Sequence, residues 1–302
     1  MDEVCCCLPH PGEDYTGENR SHGKNDDCGY QGVGTIEMVM RKFNIDPDAS
    51  FMICRWERDL LCGRDSGLAT VGLRTGSSKD FPGVRPEYFF DNLLDAINFL
   101  IDDPFRSYYE QIMVEMEGKD KKPFVLAVGG NTCSGKSTLA RYLFDKFKGM
   151  SKRVMIISLD DWILPKDERK REFNVFERFQ IGKINKNIAE ILGGEKISIS
   201  KYDSLTRGRE EEDRSYKNED VDIIIIEGVV ALSSGVIRDK ADISIFCEID
   251  EEVLLRRIIA YNAWRGLDED EVREIIEQRK EDEYRIIAGD KRHADIVIPP
   301  GG

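Results

Sequence analysis

The chain has 302 residues, of which 40% are hydrophobic and 34% are charged, and its formal net charge is −14. This composition is typical of a globular protein, and the length favours two domains over one. The negative charge excludes non-specific binding to nucleic acid or to anionic membranes, because both partners are polyanions.

The amino terminus and the cysteines bear on the compartment of the protein. The chain begins Met1-Asp2-Glu3-Val4, without the basic and apolar segments of a signal peptide, and no apolar run approaches the ~18 residues of a membrane helix. Eight cysteines in such a chain favour a reducing cytoplasm over a disulfide framework. We expect a cytoplasmic protein, and the sequence leaves open whether it forms a homo-oligomer.

The first third of the chain predicts a small α/β unit. Residues 1–35 lack periodic apolar residues, whereas the apolar spacing in residues 36–102 predicts short elements. The predicted helices are 36–43, 56–66 and 88–101, and the predicted strands are 50–54 and 69–73. Pro104 marks a break, and we expect a connecting helix at 105–116 before a polar linker. The expected organisation is a domain at 1–102, a linker region at 103–122 and a domain at 123–302.

After Pro123, long apolar runs alternate with helical segments. The runs are 124–128, 154–158, 223–226, 243–247 and 296–298. The predicted helices between them are 136–148, 186–192 and 251–261. Near-continuous apolar runs are what the strands of a parallel sheet require when both faces are buried. We therefore predict an α/β fold with a doubly wound parallel sheet.

The strongest motif of the chain lies between the first apolar run and the first helix of this domain. It fits the pattern G-x-x-x-x-G-K-[ST], and its residues are Gly130, Asn131, Thr132, Cys133, Ser134, Gly135, Lys136 and Ser137. The glycines let successive backbone N–H groups face phosphate oxygens, and the following helix adds its positive dipole end. Lys136 supplies a charge for the terminal phosphates of a nucleotide, and the Ser137 hydroxyl suits a Mg²⁺ ligand. The alternative is a glycine-rich turn with an accidental lysine.

Two further buried strands are predicted to end in carboxylates. The run 223–226 ends at Glu227, and Asp160 and Asp161 follow the run 154–158. Ligands of open α/β sheets bind at this edge. Glu227 suits Mg²⁺, and Asp160 or Asp161 suits a base that accepts a hydroxyl proton. The alternatives are an exposed strand terminus for Glu227 and a helix N-cap for the two aspartates.

The segment 123–302 resembles the uridine kinase and phosphoribulokinase group of P-loop kinases. Beyond the phosphate loop, the resemblance rests on Ser-Leu-Asp-Asp-Trp at 158–162, the Tyr-Asp motif at 202–209, Glu-Gly at 227–228, the arginines at 255–258 and 265–266, and Ala-Asp at 294–299. It implies a five-stranded parallel sheet, a helical lid and a small β-hairpin over the acceptor site. It also implies phosphoryl transfer from ATP to a hydroxyl of a small metabolite, with a nucleoside as the nearest match.

The resemblance further implies a role for each residue that matches the family motifs. The implied catalytic residues are Asp160, Lys136 and Arg209. Nucleotide contacts are implied for the loop residues 130–137, Thr138, Arg257 and Arg265. Acceptor contacts are implied for Asp161, Tyr202, Asp203, Arg207 and Arg209, and Mg²⁺ contacts for Ser137 and Glu227.

Departures from the family pattern leave the acceptor open. Arg207 stands where uridine kinases carry a base-contacting histidine, and the segment 174–179 matches the family's acceptor segment poorly. An arginine at this position suits an anionic acceptor as well as a pyrimidine, or it is a solvated loop residue. The alternatives to a nucleoside are therefore a sugar, a sugar phosphate or a pantothenate-like acceptor. A non-catalytic nucleotide-binding module is a further alternative, and a GTPase ranks last because the chain has no Asn-Lys-x-Asp motif.

Residues 1–102 resemble the carboxyl-terminal part of haloacid-dehalogenase-type phosphatases, closest to the heptose-bisphosphate and histidinol-phosphate branch. The likeness lies in the segments 42–46, 50–59 and 63–71. The Asp-x-Asp motif that carries the phosphatase nucleophile has no counterpart at the amino-terminal end, and Cys54-Arg55 stands where the family has Gly-Asp. We interpret this region as a phosphatase remnant or a fragment of a longer product, and we predict no phosphatase activity.

The amino-terminal segment contains a candidate zinc set. The same phosphatase branch often binds zinc through a loop with Cys and His, and the residues available here are Cys5, Cys6, Cys7, His10 and Cys28. Their spacing is poor for a zinc site. The alternative is an oxidation-prone tail that binds no metal.

Overall fold

The computed structural model describes residues 34–47, 50–75, 85–119, 121–204 and 206–300. The chain divides into two compact units, with the boundary after Ile101. Within the described ranges, no helix is both long and apolar enough to cross a bilayer.

The helices and strands are numbered in chain order. The helices are α1 (Gly34–Phe43), α2 (Glu57–Asp65), α3 (Leu93–Asp102), α4 (Arg106–Met116), α5 (Lys136–Gly149), α6 (Val175–Arg178), α7 (Ile181–Leu192), α8 (Gly235–Lys240), α9 (Glu251–Trp264), α10 (Glu269–Arg279) and α11 (Arg285–Ala288). The strands are β1 (Phe51–Cys54), β2 (Ala69–Leu73), β3 (Tyr88–Phe90), β4 (Phe124–Gly129), β5 (Val154–Ser158), β6 (Ile197–Asp203), β7 (Gly208–Tyr216), β8 (Ile223–Glu227), β9 (Ile243–Cys247) and β10 (Ile296–Ile298).

The first unit is built on a three-stranded parallel sheet in the order β1-β2-β3. The predicted helix 88–101 was wrong at its beginning, because residues 88–90 form β3 and α3 begins only at Leu93. Three consecutive aromatic residues favour a strand over a helix. Asn92 then starts the helix, since its Oδ1 accepts a hydrogen bond of 2.9 Å from the backbone N–H of Asp95.

The second unit contains a five-stranded parallel sheet in the order β10-β9-β4-β8-β5, which confirms the expected sheet. Every residue of β4, β8 and β9 is buried. Their continuous apolar runs are explained by this burial, because helices cover both faces of a parallel sheet. The carboxyl ends of β4, β5 and β8 therefore meet at one edge, with Glu227 paired in register with Val128 and Ser158.

Helix α7 packs an apolar stripe against the core of the second unit. Ile184, Ile188 and Ile191 are fully buried beside Trp162 and other core residues. The helix begins at Ile181, more than a turn before the predicted start at residue 186. The early turn was missed because it contains a glycine and a lysine, which interrupt the apolar pattern.

The strands β6 and β7 form an antiparallel hairpin with an irregularity between Ser200 and Tyr202. The apolar pattern did not predict these strands, since β7 is mostly charged, and the hairpin was expected only from the family resemblance. Helices α9 and α10 lie between β9 and β10 in the chain, and α10 begins with a capping box in which Asp268 Oδ1 accepts from Asp270 N and Glu271 N. The predicted helix 251–261 continues to Trp264.

Candidate active site

The loop between β4 and α5 has a backbone shape that other residues would disturb. Gly130 has φ +141° and Gly135 has φ +95°, and Cys133 adopts φ +57° between them. A Cβ atom on Gly130 would overlap the backbone oxygen of Cys247, so only glycine fits there. The loop therefore turns tightly enough to direct its N–H groups inward, at the amino-terminal end of the fourteen-residue helix α5.

Polar atoms in this loop are buried without a protein partner. Ser134 Oγ and Asn131 Oδ1 are both inaccessible and have no hydrogen-bond partner among the residues that the structure describes. Lys136 is only 6% exposed, and its ammonium donates to the Asn131 backbone oxygen at 2.7 Å. A buried, unpaired polar group is unfavourable unless a ligand completes it. A buried cation beside such polar atoms and a helix amino terminus fits a polyphosphate.

Glu227 connects the loop to the neighbouring strands. Its side chain is buried, Oε2 accepts from Ser137 Oγ at 3.2 Å, and Oε1 accepts from Ser158 Oγ at 2.6 Å. The structure thus brings together the two predicted Mg²⁺ residues, Ser137 and Glu227. A hydroxyl and a carboxylate are oxygen donors of the kind that Mg²⁺ accepts alongside water and phosphate. These residues fit the metal, and their role as ligands stays a prediction.

Asp160 and Asp161 lie in the 3₁₀ turn Leu159–Trp162 that follows β5. The Asp161 carboxylate is buried, and it accepts from Tyr202 N at 3.3 Å, Arg214 Nη1 at 3.2 Å and Tyr216 Oη at 2.6 Å. Both of its oxygens hold the hairpin, and the expected contact of Asp161 with the acceptor stays a prediction. Asp160 is partly exposed, and its role as the base stays a prediction.

The side chain of Arg209 forms hydrogen bonds within the protein. Its guanidinium donates to the backbone oxygens of Asp161, Ser200 at 2.8 Å and Ile163 at 2.7 Å. Burial lowers the pKa of this guanidinium. These bonds fix the loop that carries Asp160, and the expected catalytic contact of Arg209 stays a prediction.

The Tyr-Asp motif forms the turn at the end of the hairpin. Tyr202 Oη accepts from Arg169 Nη2 at 2.6 Å, and Asp203 Oδ2 accepts from Thr206 N and Oγ1 at 3.1 and 2.7 Å. Arg207 follows in a left-handed conformation with φ +59°, and its backbone oxygen accepts from Lys166 N at 2.9 Å. Tyr202 and Arg207 interact electrostatically, and acceptor contacts of Tyr202, Asp203 and Arg207 stay predictions.

The two predicted lid arginines have different surroundings. Arg257 on α9 donates Nη1 to the Cys133 backbone oxygen at 3.1 Å, so it contacts the phosphate loop directly. Arg265, at the carboxyl end of α9, donates to Asn262 Oδ1 at 3.1 Å and lies 5.5 Å from the Tyr261 ring centroid. A nucleotide contact stays a prediction for both.

The sequence did not indicate three further arginines near the site, which are Arg178, Arg279 and Arg169. Arg178 is 6% exposed and pairs with Asp282 at 2.5 Å and Glu283 at 2.8 Å, and Arg279 reaches Glu283 at 3.8 Å. The third group is Arg169, which holds Tyr202. All of them lie in segments rich in exposed charged residues. In such segments the sequence pattern does not show which arginines are buried and which are solvated.

The described residues of the first unit show no comparable constellation. No group of three or more His, Cys, Asp or Glu that suits a metal occurs in the described parts of the chain. Asp59, the remaining acid of the phosphatase motif, lies 3.5 Å from Arg58 in the first turn of α2. Burial raises the pKa of the Cys54 thiol to about 12. The zinc candidates Cys5, Cys6, Cys7, His10 and Cys28 lie outside the described residues, and zinc has no support.

A phosphate loop at a strand end, a carboxylate on the adjacent strand and a helix that contacts the loop are the features of P-loop kinases. A model of the "Phosphoribulokinase / Uridine kinase family" matches residues 125–302, more than half of the chain. The chain belongs to this family, and it is an ATP-dependent kinase. The family implies ATP with Mg²⁺ and a small-molecule acceptor. A HAD-hydrolase-like model matches residues 28–96 in the first unit.

Individual relatives agree with the family. A uridine kinase of Ligilactobacillus salivarius (strain UCC118) is 29% identical over 198 residues, covering 62% of this chain and 90% of the relative. Uridine-cytidine kinase B of Dictyostelium discoideum is 30% identical over 191 residues, covering 60% and 76%. A Silicibacter sp. TM1040 structure described as a fructose transport system kinase has a TM-score of 0.52 and 15% identity over 64% of this chain and 98% of its own. That structure supports the fold alone.

Proposed function

We propose that this kinase transfers the terminal phosphoryl group of ATP to a hydroxyl of a small metabolite, with Asp160 as the base. A nucleoside is the first candidate, because the curated relatives are named uridine kinase and uridine-cytidine kinase. The alternatives are a sugar, a sugar phosphate and a pantothenate-like molecule, because Arg207 stands where uridine kinases carry a base-contacting histidine.

One observation carries this proposal. The Glu227 carboxylate accepts from Ser137, at the start of α5, and from Ser158, two residues before Asp160. A single buried group thus joins the phosphate loop to the strand end that presents Asp160. This arrangement supports a nucleotide and an acceptor hydroxyl meeting at the same edge of the sheet.

The proposed step conserves every atom. The acceptor oxygen forms a bond to the γ-phosphorus, the bond from that phosphorus to the β–γ bridging oxygen breaks, and the leaving electron pair departs with ADP. The hydroxyl proton moves to the Asp160 carboxylate. Lys136 offsets negative charge on the terminal phosphates. Ser137 and Glu227 would hold Mg²⁺, which supplies charge neutralisation on the phosphate oxygens when bound.

The test is coupled ADP release against a panel of nucleosides, pentoses, pentose and heptose phosphates, and pantothenate. We expect release that depends on an added alcohol and that falls by at least about a hundredfold in Lys136→Ala, because the buried charge at the phosphates is lost. Lys148→Ala is the matched control, since Lys148 is an exposed lysine on the same helix. ADP release that ignores the acceptor, or that survives in Lys136→Ala, contradicts the proposal.

The competing function is a non-catalytic module that uses the phosphate loop as a nucleotide switch. That function predicts tight ATP binding by calorimetry with no turnover in the same panel. No contact among the described residues favours it over catalysis, and the panel experiment separates the two.

A further inference from the structure

Four arginines from separate segments interact beside the hairpin: Arg169, Arg207, Arg265 and Arg279, called here the arginine cluster. Arg169 bonds to Tyr202 of the hairpin, and Arg265 lies against the ring of Tyr261, whose hydroxyl is 3.1 Å from Ser204 Oγ at the hairpin turn. The Arg207 guanidinium is half-buried, and the like charges that act on it come from the other three arginines. Burial and these charges lower the pKa of Arg207 to about 10. The chain as a whole carries a net charge of −14, so this concentration of positive charge is local.

Two members of the cluster, Arg169 and Arg207, have no carboxylate partner among the residues that the structure describes. Arg169 donates Nε to the Leu164 backbone oxygen at 2.7 Å and Nη2 to Tyr202 Oη at 2.6 Å, and both acceptors are neutral. Within the described parts of the chain, the structure gives the Arg207 side chain no carboxylate partner. Arg279 lies 3.8 Å from Glu283, and although burial opposes its charge, Glu283, Asp282 and nearby tyrosines raise the pKa of Arg279. Glu283 also pairs with Arg178 at 2.8 Å. The carboxylate beside Arg279 is thus shared with an arginine outside the cluster.

Hydrogen bonds and charge interactions connect the cluster to both halves of the site. On one side, Tyr202 donates its backbone N–H to Asp161, the neighbour of the proposed base. On the other side, the charge of Arg279 acts on Tyr284, whose backbone oxygen accepts from Asn131 of the phosphate loop at 3.3 Å. Gathering like charges in a partly dry region is unfavourable unless an anion offsets their repulsion. Arginine forks match phosphate oxygens in geometry as well as in charge.

We propose that Arg169 and Arg207 bind a phosphate dianion carried by the acceptor, so that the substrate is a phosphate ester of a small polyhydroxy compound rather than a neutral nucleoside. This inference rests on the proposed function, whose phosphoryl-transfer step is unchanged. Arg265 and Arg279 add positive charge where the ester approaches ATP. The arginine at position 207, where uridine kinases carry a histidine, then reflects a different class of substrate.

Binding of inorganic phosphate tests the site without knowledge of the acceptor. The full chain is first saturated with Mg²⁺ and the non-hydrolysable analogue AMP-PNP, so that the triphosphate position is filled, and phosphate is then titrated by calorimetry. We expect phosphate to bind and Arg207→Gln to weaken it by about ten- to a hundredfold, the range of a charged hydrogen bond. Arg207→Lys, which keeps the charge but loses the fork, is expected to bind phosphate with an affinity between those of the native chain and Arg207→Gln. Arg153→Gln is the control, because Arg153 pairs with Asp220 and Asp222 at the opposite end of the strands.

Turnover gives the second readout. Ribose 5-phosphate is compared with ribose, glycerol 3-phosphate with glycerol, and all four with uridine. We expect the phosphorylated member of each pair to have the higher kcat/KM, and Arg207→Gln to raise the KM for that member while leaving the KM for ATP unchanged.

Two results overturn the inference. If phosphate binds only when AMP-PNP is absent, the cluster binds the triphosphate of ATP. If uridine has a higher turnover than every phosphorylated acceptor, and Arg207→Gln does not change that turnover, the acceptor is a nucleoside. Failure of the proposed function looks different: no acceptor releases ADP, although phosphate binding in the presence of AMP-PNP still depends on Arg207.

Discussion

Asp160 and Asp161 are adjacent in the chain, but their surroundings differ. The Asp161 carboxylate accepts three hydrogen bonds from β6 and β7, whereas Asp160 is partly exposed at the edge where the phosphate loop lies. A base must be accessible to the acceptor hydroxyl, and a buried carboxylate that already accepts three hydrogen bonds is less accessible than a partly exposed one. The exposure of Asp160 and the burial of Asp161 support the proposal that Asp160 is the base.

The role of Asp160 is tested by Asp160→Asn. An amide keeps the shape of the side chain but cannot take the proton, so we expect kcat to fall by about 10²–10⁴-fold with the KM for ATP nearly unchanged. Asp239→Asn, an exposed aspartate on α8, serves as the control. Steady-state ADP release measures both. A variant with near-normal kcat would remove Asp160 from the mechanism.

The role of Asp161 is tested by Tyr216→Phe. This change removes the hydroxyl that donates to Asp161 Oδ2 at 2.6 Å and leaves a buried carboxylate short of one donor. We expect the free energy of unfolding to fall by about 1–3 kcal/mol, measured by urea denaturation. Tyr109→Phe loses only a contact from its hydroxyl to Met150 Sδ, and we expect a change within about 0.5 kcal/mol. Equal stabilities for the two variants would mean that Asp161 does not anchor the hairpin.

At the scale of elements, the site is made where strands end. β4 leads into the phosphate loop, β8 ends in Glu227, and β5 leads into the turn with Asp160. The strands themselves are packed in the core, and the polar residues beyond them are fixed by hydrogen bonds to one another. The hairpin adds a flap that is tied to the same edge through Asp161 and Arg209.

The shape of the phosphate loop predicts opposite outcomes for two glycine-to-alanine changes. In Gly130→Ala the new Cβ overlaps the Cys247 backbone oxygen in a conformation that L-residues disfavour, so we expect loss of ATP binding by calorimetry and a lower free energy of unfolding. In Gly182→Ala, on α7, nothing lies within 4 Å of the new Cβ. There we expect unchanged ATP binding and a stability gain of up to about 1 kcal/mol, because alanine favours helix. Similar ATP affinities for both would contradict the proposed shape of the loop.

At the scale of the whole molecule, the chain joins a kinase to a unit that matches a HAD-hydrolase-like family. The first unit has the parallel strands β1–β3, but Cys54 and Arg55 stand where the phosphatase branch has Gly-Asp. The Cys54 side chain is buried, and a thiol there does not replace an acidic metal ligand.

We expect no phosphatase activity from this chain. With Mg²⁺ and p-nitrophenyl phosphate, histidinol phosphate or a heptose bisphosphate, release of phosphate should stay at the level of the uncatalysed control, because Cys54-Arg55 replaces the Gly-Asp of the phosphatase metal motif. The Lys136→Ala variant separates the two units, since it disables only the kinase. Mg²⁺-dependent phosphate release that persists in Lys136→Ala and disappears in Asp59→Asn would show a working phosphatase.

The sequence by itself determined the elements whose signal is local. Buried parallel strands have to be apolar throughout, and a phosphate loop has to place its glycines and lysine at fixed spacing, so the order of residues is enough to locate β4, β5, β8 and the loop from Gly130 to Ser137. Since parallel strands end at a common edge, the meeting of Glu227 with the loop was also predictable. The same local reasoning was wrong where aromatic residues at 88–90 continued an apparent helical pattern.

Only the tertiary structure decided what depends on contacts between distant segments. The motifs suggested site roles for Asp161 and Arg209 but not their hydrogen bonds within the protein. The partners of Asp161, for example, lie on strands more than forty residues away in the chain. The arginine cluster draws its members from positions 169, 207, 265 and 279, in segments where charge is common. No pattern along the chain marks such residues, because burial, and the loss of solvent screening that makes their charges interact, arises only when the segments are packed together.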